Sequence, residues 1–422
     1  MGKNVLSKSK VDTRNKTRII KHCRICGNSN LKEFLKFKNL PVAGIYSIKK
    51  TLKEHEFSLS LSLLYCENCG FVQIKEIVPA KIYTEYSYVG TYSNFYVDYL
   101  NWVCDFLIYK MNMKRKKILE IGCSNGYLLN RLKVFGQNDV FGYEPSKKLA
   151  DECRKIDISV AQNYFSIDTI QNNNFDYDLI IIRHVIEHID NLSEFLEAIN
   201  KCLRKNGFLL VETPDIEEVF HKKLYSNIFH EHLNYFSRYS LIKLFDKYGF
   251  FPSYYKNVDI HGGSMFLIFH RNRNKKNSIY PLRKLEFSEC KSFAKSLKKY
   301  YRKIRSLVKM SIKKGFRVYG YGAAHRTFSV LGITGFTNKE VKKIYDKNPF
   351  LHNKYIPRAN ILIDSPENIV KDKVRCLIIF ATSFEDEIIK ELKEKHGFCG
   401  KIISIKGIPK FIDINNLPSK TC

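Results

Sequence analysis

The chain has 422 residues, enough for two or three domains, and 44% of them are hydrophobic, which excludes global disorder. No apolar run approaches the ~18 residues of a membrane span. The formal net charge of +29 raises nucleic acid as a partner. Lys is spread along the whole chain, however, with no single basic stripe interleaved with aromatics, and a positive field equally suits a small anionic substrate.

In chain order, MGKNVLSKSKVDTRNK is basic but has no apolar core behind it, so it is not read as a signal peptide. A soluble, cytoplasmic monomer without membrane or nucleic-acid partners is expected. CRIC supplies Cys23 and Cys26, and CENC supplies Cys66 and Cys69. Two CxxC pairs match the tetrahedral thiolate set of zinc, and four protein ligands leave no open position, so the metal is expected to be structural. LSLSLLYC between the pairs alternates like a strand. Residues 1–80 are therefore taken as a zinc-binding module, 81–255 as the next domain and 256–422 as the last.

KKILEIGCSNGYLLNRLKVFGQNDVFGYEP reads as strand, Gly loop (Gly122, Gly126), helix and strand, ending in Glu144. That is a Rossmann-like unit, in which Glu144 accepts hydrogen bonds from two ribose hydroxyls. The loop is ExGxxxG (Glu120, Gly122, Gly126) and lacks the dinucleotide GxGxxG; it resembles motif I of class I S-adenosylmethionine-dependent methyltransferases. Asn125 lies in that loop, and the resemblance puts Asn163 near the adenine. DLIIIRHVIEHI resembles the fourth strand and following loop of the same enzymes. CLRKNGFLLVETP reads as a helix end, a Gly turn and the fifth strand.

Later segments carry further chemistry. NIFHEHLNYFS sets His230, Glu231 and His232 side by side. It reads as a base with its helper, as a metal site lacking an identifiable third ligand, or as a polar surface. His230 is treated as structural or exposed. His184 is read as a strand-end packing residue. HGGS (261–264) has the Gly pair of a close-approach loop. A charged helical stretch from about residue 275 to 314 bridges to KGFRVYGYGAAHRTFSVLGITGFTNKEVKKIYDKNP. This repeats the strand, Gly loop, helix, strand, acid order, with Asp346 24 residues after Gly322 where Glu144 is 22 after Gly122. The fold class is therefore α/β, with two Rossmann-like domains behind the zinc module.

The ordered set of paired CxxC, the Tyr-rich EYSYVGTYS, IGCSNG, HVIEHI, the HEH stretch, HGGS and the C-terminal unit resembles a known family over nearly the whole chain. It is similar to the sugar C-methyltransferases that act on nucleotide-linked keto-deoxysugars in antibiotic and surface-polysaccharide pathways, such as those making tetronitrose or noviose. The resemblance implies S-adenosylmethionine as cofactor and a nucleotide-linked sugar as partner. It implies His232 as general base, Glu231 as its partner, and His188 with Tyr86 or Tyr88 lining the sugar. His261, Gly262 and Asp346 fall to the substrate. So do the amides of Gly322, Ala323 and Ala324 and the side chain of His325 or Arg326, which would meet a pyrophosphate. Two departures stand out: Phe229 replaces a frequent Tyr, and Gly126 directly follows Asn125 where an Asp is common. The rival expectations are an O-methyltransferase on a sugar hydroxyl and a zinc-ribbon nucleic-acid binder.

Overall fold

The computed structural model describes residues 17–48, 58–78, 93–170, 176–271 and 282–414. The apolar runs KILEI and YDLIIIR are buried along most of their length, as parallel strands covered on both faces require. Lys117–Ile121 and Tyr177–Arg183 pair in parallel at the centre of a seven-stranded sheet. Asp139–Tyr143 and Ser159–Ala161 extend it on one side, and Leu203–Pro214 on the other. An antiparallel hairpin, Phe251–Val258 and Ser264–His270, completes the edge beyond Leu203–Pro214. SMFLIFH pairs residue for residue with Phe208–Pro214, so this domain runs to His270 and a boundary at 255 would cut a strand. The helix Leu192–Cys202 passes directly into the strand Leu203–Pro214, with a register break between Leu203 and Phe208 where a Gly turn was expected.

A second seven-stranded sheet is built from the C-terminal segment. Its parallel centre is Ile361–Asp364, Val341–Tyr345, Val318–Tyr321, Cys376–Ile379 and Lys401–Ser404. The two Gly loops are built alike: Gly122 N donates to Tyr143 O (2.8 Å) and Gly322 N to Tyr345 O (2.7 Å).

The zinc module is a four-stranded antiparallel sheet that borrows Asn234–Tyr235 from the middle of the chain. It packs in two directions. Leu35, Leu61 and Val72 share a core with the helix Phe287–Lys313, through Phe293, Leu297 and Ile304, and with Val318 and Ile344 of the last domain. Cys66, Cys69 and Phe71 share another with Phe236, Leu241 and Phe245. The long helix buries one stripe at three- and four-residue spacing and leaves many of its Lys and Arg side chains exposed. Among the described residues, no helix is long and apolar enough to cross a membrane.

Candidate active site

Ligands of parallel α/β sheets bind beyond the carboxyl ends of the strands. Here that edge opens into a cavity of about 530 Å³, lined by the first Rossmann-like domain, by Ile77 and Val78 of the zinc module, and by Arg326 and Ser383 of the last domain.

One half suits a nucleoside. Gly122 has φ +74°, and a Cβ there would lie 2.5 Å from Val185 Cγ2, so only glycine allows the loop this close. Both Glu144 oxygens accept backbone amides, from Ser124 (3.0 Å) and Ser146 (2.8 Å). Burial pushes the Glu144 carboxyl up to about 7. Glu120 is buried with Oε1 3.8 Å from Arg183 and with no hydrogen-bond partner for Oε2 among the described residues. Burial raises its carboxyl to about 8. Asn125 and Asn163 line the same space. An orphaned buried carboxylate oxygen calls for a cation. The residues therefore fit S-adenosylmethionine, with Glu144 toward the ribose hydroxyls and Glu120 toward the ammonium end. A cationic donor favours the ionised form of both carboxyls, so its binding near pH 7 should release protons, and its affinity should fall as pH drops below about 8 and more steeply below about 7. Calorimetry in buffers of different ionisation enthalpy checks both signs; proton uptake on binding would contradict them.

Under this half lies a buried charge network that the sequence did not reveal. Arg183 Nε donates to Glu212 Oε2 (2.6 Å), and Arg183 also donates to the Tyr96 hydroxyl (3.0 Å). His184 contacts Glu212 through Nε2 (3.0 Å) and Glu187 through Nδ1 (3.4 Å). Burial pushes the His184 ring down, but the two carboxylates outweigh it and hold it at about 9. Burial pushes Glu212 up, and Arg183 with His184 outweighs that, holding it at about 2. His184 is thus a clamped imidazolium at positive φ (+53°), correcting its reading as a packing residue. His261 meets it edge to face, centroids 4.4 Å apart, and is driven well below the ordinary histidine range by burial, His184 and Arg326.

The other half holds the HEH stretch. Glu231 and His232 line the cavity; His230 is fully buried elsewhere, and its ring is lowered to about 4, chiefly by burial. His188 Nδ1 lies 2.9 Å from the Glu231 carbonyl. A carbonyl only accepts, so Nδ1 carries hydrogen and a neutral His188 presents its lone pair at Nε2. The His188 and His232 rings are 5.0 Å apart. His232 is driven well below its ordinary range by burial first, then by His188, Arg326, His325 and His184. Glu187 completes a possible three-ligand metal group with His188 and His232. Its oxygens are already engaged by Thr213 (3.0 Å) and His184, which favours a proton-transfer role for the two rings.

Several sequence expectations change place. The amides of Gly322 and Ala323 donate to Tyr345 O and Asp346 Oδ2, so neither is left for a pyrophosphate. Asp346 is a half-buried loop brace that accepts from Ala323 and Asn348, the counterpart of Glu144 with its carboxyl raised by desolvation, and it does not line the cavity. Gly262 shapes its turn (φ +92°), with Leu224 2.5 Å from where a Cβ would sit, and it too stays outside the lining. Ala324, His325 and Arg326 do reach the cavity. Arg326 donates to Ser383 Oγ and to the His261 carbonyl, both at 2.6 Å. Tyr86 and Tyr88 lie outside the described residues.

Away from the cavity, the Sγ atoms of Cys23, Cys26, Cys66 and Cys69 all lie within 4.8 Å of one another, with Cys23–Cys69 at 3.5 Å and Cys26–Cys66 at 3.6 Å. Tetrahedral zinc with bonds of about 2.3 Å spaces its sulfurs by about 3.8 Å, so the four fit the ion.

Three family models match successive parts of the chain. A zinc binding domain matches residues 23–83, a methyltransferase domain 102–251, and a C-methyltransferase C-terminal domain 259–406. The chain is 24% identical over 393 residues to C-methyltransferase NovU of Streptomyces niveus, covering 89% of this chain and 93% of that protein. The chain is an S-adenosylmethionine-dependent methyltransferase, and it is similar to a C-methyltransferase over nearly its whole length. Other matches are partial. A tRNA U34 carboxymethyltransferase of Pseudomonas fluorescens is 29% identical over 119 residues, 27% of this chain and 37% of that protein. The magnesium protoporphyrin IX methyltransferase structure from Synechocystis with bound SAH aligns with 46% of this chain and 92% of that one, at 16% identity and a TM-score of 0.35. The methyltransferase-domain model spans both Glu144 and His232, and the C-terminal model spans Arg326.

Proposed function

We propose that this C-methyltransferase methylates a carbon beside a ketone on a nucleotide-linked deoxysugar, through an enolate. The observation that carries the reading is His232, an imidazole held neutral at the wall of the same cavity that holds the Glu144–Glu120 donor half. Carbon is a poor nucleophile until a proton is lost, and a ketone acidifies its neighbour enough for an imidazole to remove it. The bound S-adenosylmethionine supplies an electrophilic methyl group. His232 takes the proton from the carbon. Arg326 lines the same cavity and supplies a cation for the enolate oxygen. Ala324 and Arg326 line the same cavity, which supports binding of an anionic diphosphate there.

The O-methyl alternative needs no ketone. Incubation of dTDP- and GDP-linked keto-deoxysugars with ¹³C-methyl donor separates the two: a labelled methyl bonded to carbon in the product NMR spectrum is expected, whereas a methoxy signal would overturn the reading.

A further inference from the structure

Glu231 is where three parts of the chain meet inside the cavity. Its carbonyl faces His188 Nδ1. Its side chain is only 6% exposed, and Oε1 has no aligned hydrogen bond among the described residues. A buried acceptor in that state needs a donor. His325, the first residue of the helix His325–Thr334, brings Nε2 to 3.2 Å from Oε1, within ion-pair reach but off the hydrogen-bond line. The His325 ring lies parallel to Phe229 (centroids 5.9 Å, 15°), and Phe229 packs against His232 at 4.1 Å. From the zinc module, Gly44 closes the third side. A Cβ there would lie 2.8 Å from His325 Nε2 and 3.0 Å from Glu231 Oε1, and its φ is +78°.

We infer that His325 is a positioning residue of the reaction: it donates to the Glu231 carboxylate across the domain boundary, and Gly44 leaves the space in which the two meet. Holding the Glu231 side chain keeps its carbonyl on His188 and keeps the adjoining His232 aimed at the substrate. Docking of all three domains then becomes a condition for proton abstraction. This inference rests on the proposed enolate chemistry.

The test uses the full-length, zinc-loaded protein with His325→Ala, His325→Gln and Gly44→Ala. Glutamine keeps an N–H donor at similar reach. His325→Ala should slow both substrate deuterium exchange and kcat by roughly 10- to 100-fold, as a misplaced reacting group does, with the donor Kd and substrate KM little changed. Gly44→Ala should behave the same way, and His325→Gln should recover most of the loss. Exchange within twofold of wild type in His325→Ala, or no recovery in His325→Gln, would overturn the assignment. A second readout needs no substrate: the unfolding-midpoint shifts of Glu231→Ala and His325→Ala should be non-additive in the double variant. Additive shifts would also overturn it. Non-additive shifts in a protein that exchanges no keto-sugar nucleotide would sink the substrate reading and support the Glu231–His325 clamp.

Discussion

His232→Ala is expected to abolish deuterium exchange at the carbon beside the ketone and to lower kcat by about 10²–10⁴-fold, the range of general-base catalysis. The expectation follows from where the ring sits. It lies 5.0 Å from His188, against Phe229, in a wall shared with Arg326 and close enough to the His184 cation for its pKa to feel both. Burial and these neighbours push its pKa down, so the folded protein keeps the base neutral through and below neutral pH. Acidification must go well under the ordinary histidine range to silence it. Donor binding, by contrast, weakens below about 8 as Glu120, and then Glu144, takes up a proton. Donor-free exchange should therefore persist on the acid side where methyl transfer already declines. Mass spectrometry on keto-deoxysugar nucleotides in D₂O, at several pH values, reads both effects. Exchange that survives in His232→Ala would move the base to His188, whose Nε2 lone pair is set by the Glu231 carbonyl.

Loss of the zinc ligands should have the largest effect on stability. Structural zinc contributes about 10–16 kcal/mol in isolated finger peptides, against a domain stability of about 5–15 kcal/mol, so the module should not stay folded without the ion. Its cysteines are also core residues: Cys66 and Cys69 pack with Phe71 beside Phe236 and Phe245. Unfolding would remove Ile77 and Val78 from the cavity wall and Gly44 from the Glu231–His325 contact. Cys66→Ser, or a strong chelator, should lower the unfolding midpoint by more than about 10 °C, since each kcal/mol moves it by about 4–8 °C in a domain of about 60–100 residues. Calorimetry with zinc analysis by atomic absorption checks this. Metal removal with no change in midpoint would show that the cysteine cluster bears no load.

Much was legible along the chain because it depends on short-range spacing. Two CxxC pairs state their ligand chemistry in four residues each. The strand, Gly loop, helix, strand, acid order states its topology, since a loop at positive φ with Gly122 or Gly322 can be followed locally to Glu144 or Asp346. Equal spacing did not mean equal use. Glu144 lines the cavity, while Asp346 turns its carboxylate onto Ala323 and Asn348 and stays outside the lining.

What the sequence by itself determined is therefore the local grammar: the zinc ligands, two Rossmann-like units, the donor loop, and a His-Glu-His stretch of adjacent titratable side chains. Only the tertiary structure decided which of those groups meet. Glu212 is 28 residues from His184, and His325 is 94 residues from Glu231, yet each pair lies within 3.2 Å. No periodicity reports such contacts, because they are made by sheet pairing and domain docking. The same packing turned His184 from a presumed packing residue into a clamped cation, and it carried the first sheet past residue 255 to His270. Charge placed by burial depends on what surrounds a group in space, and neighbours in sequence do not report that.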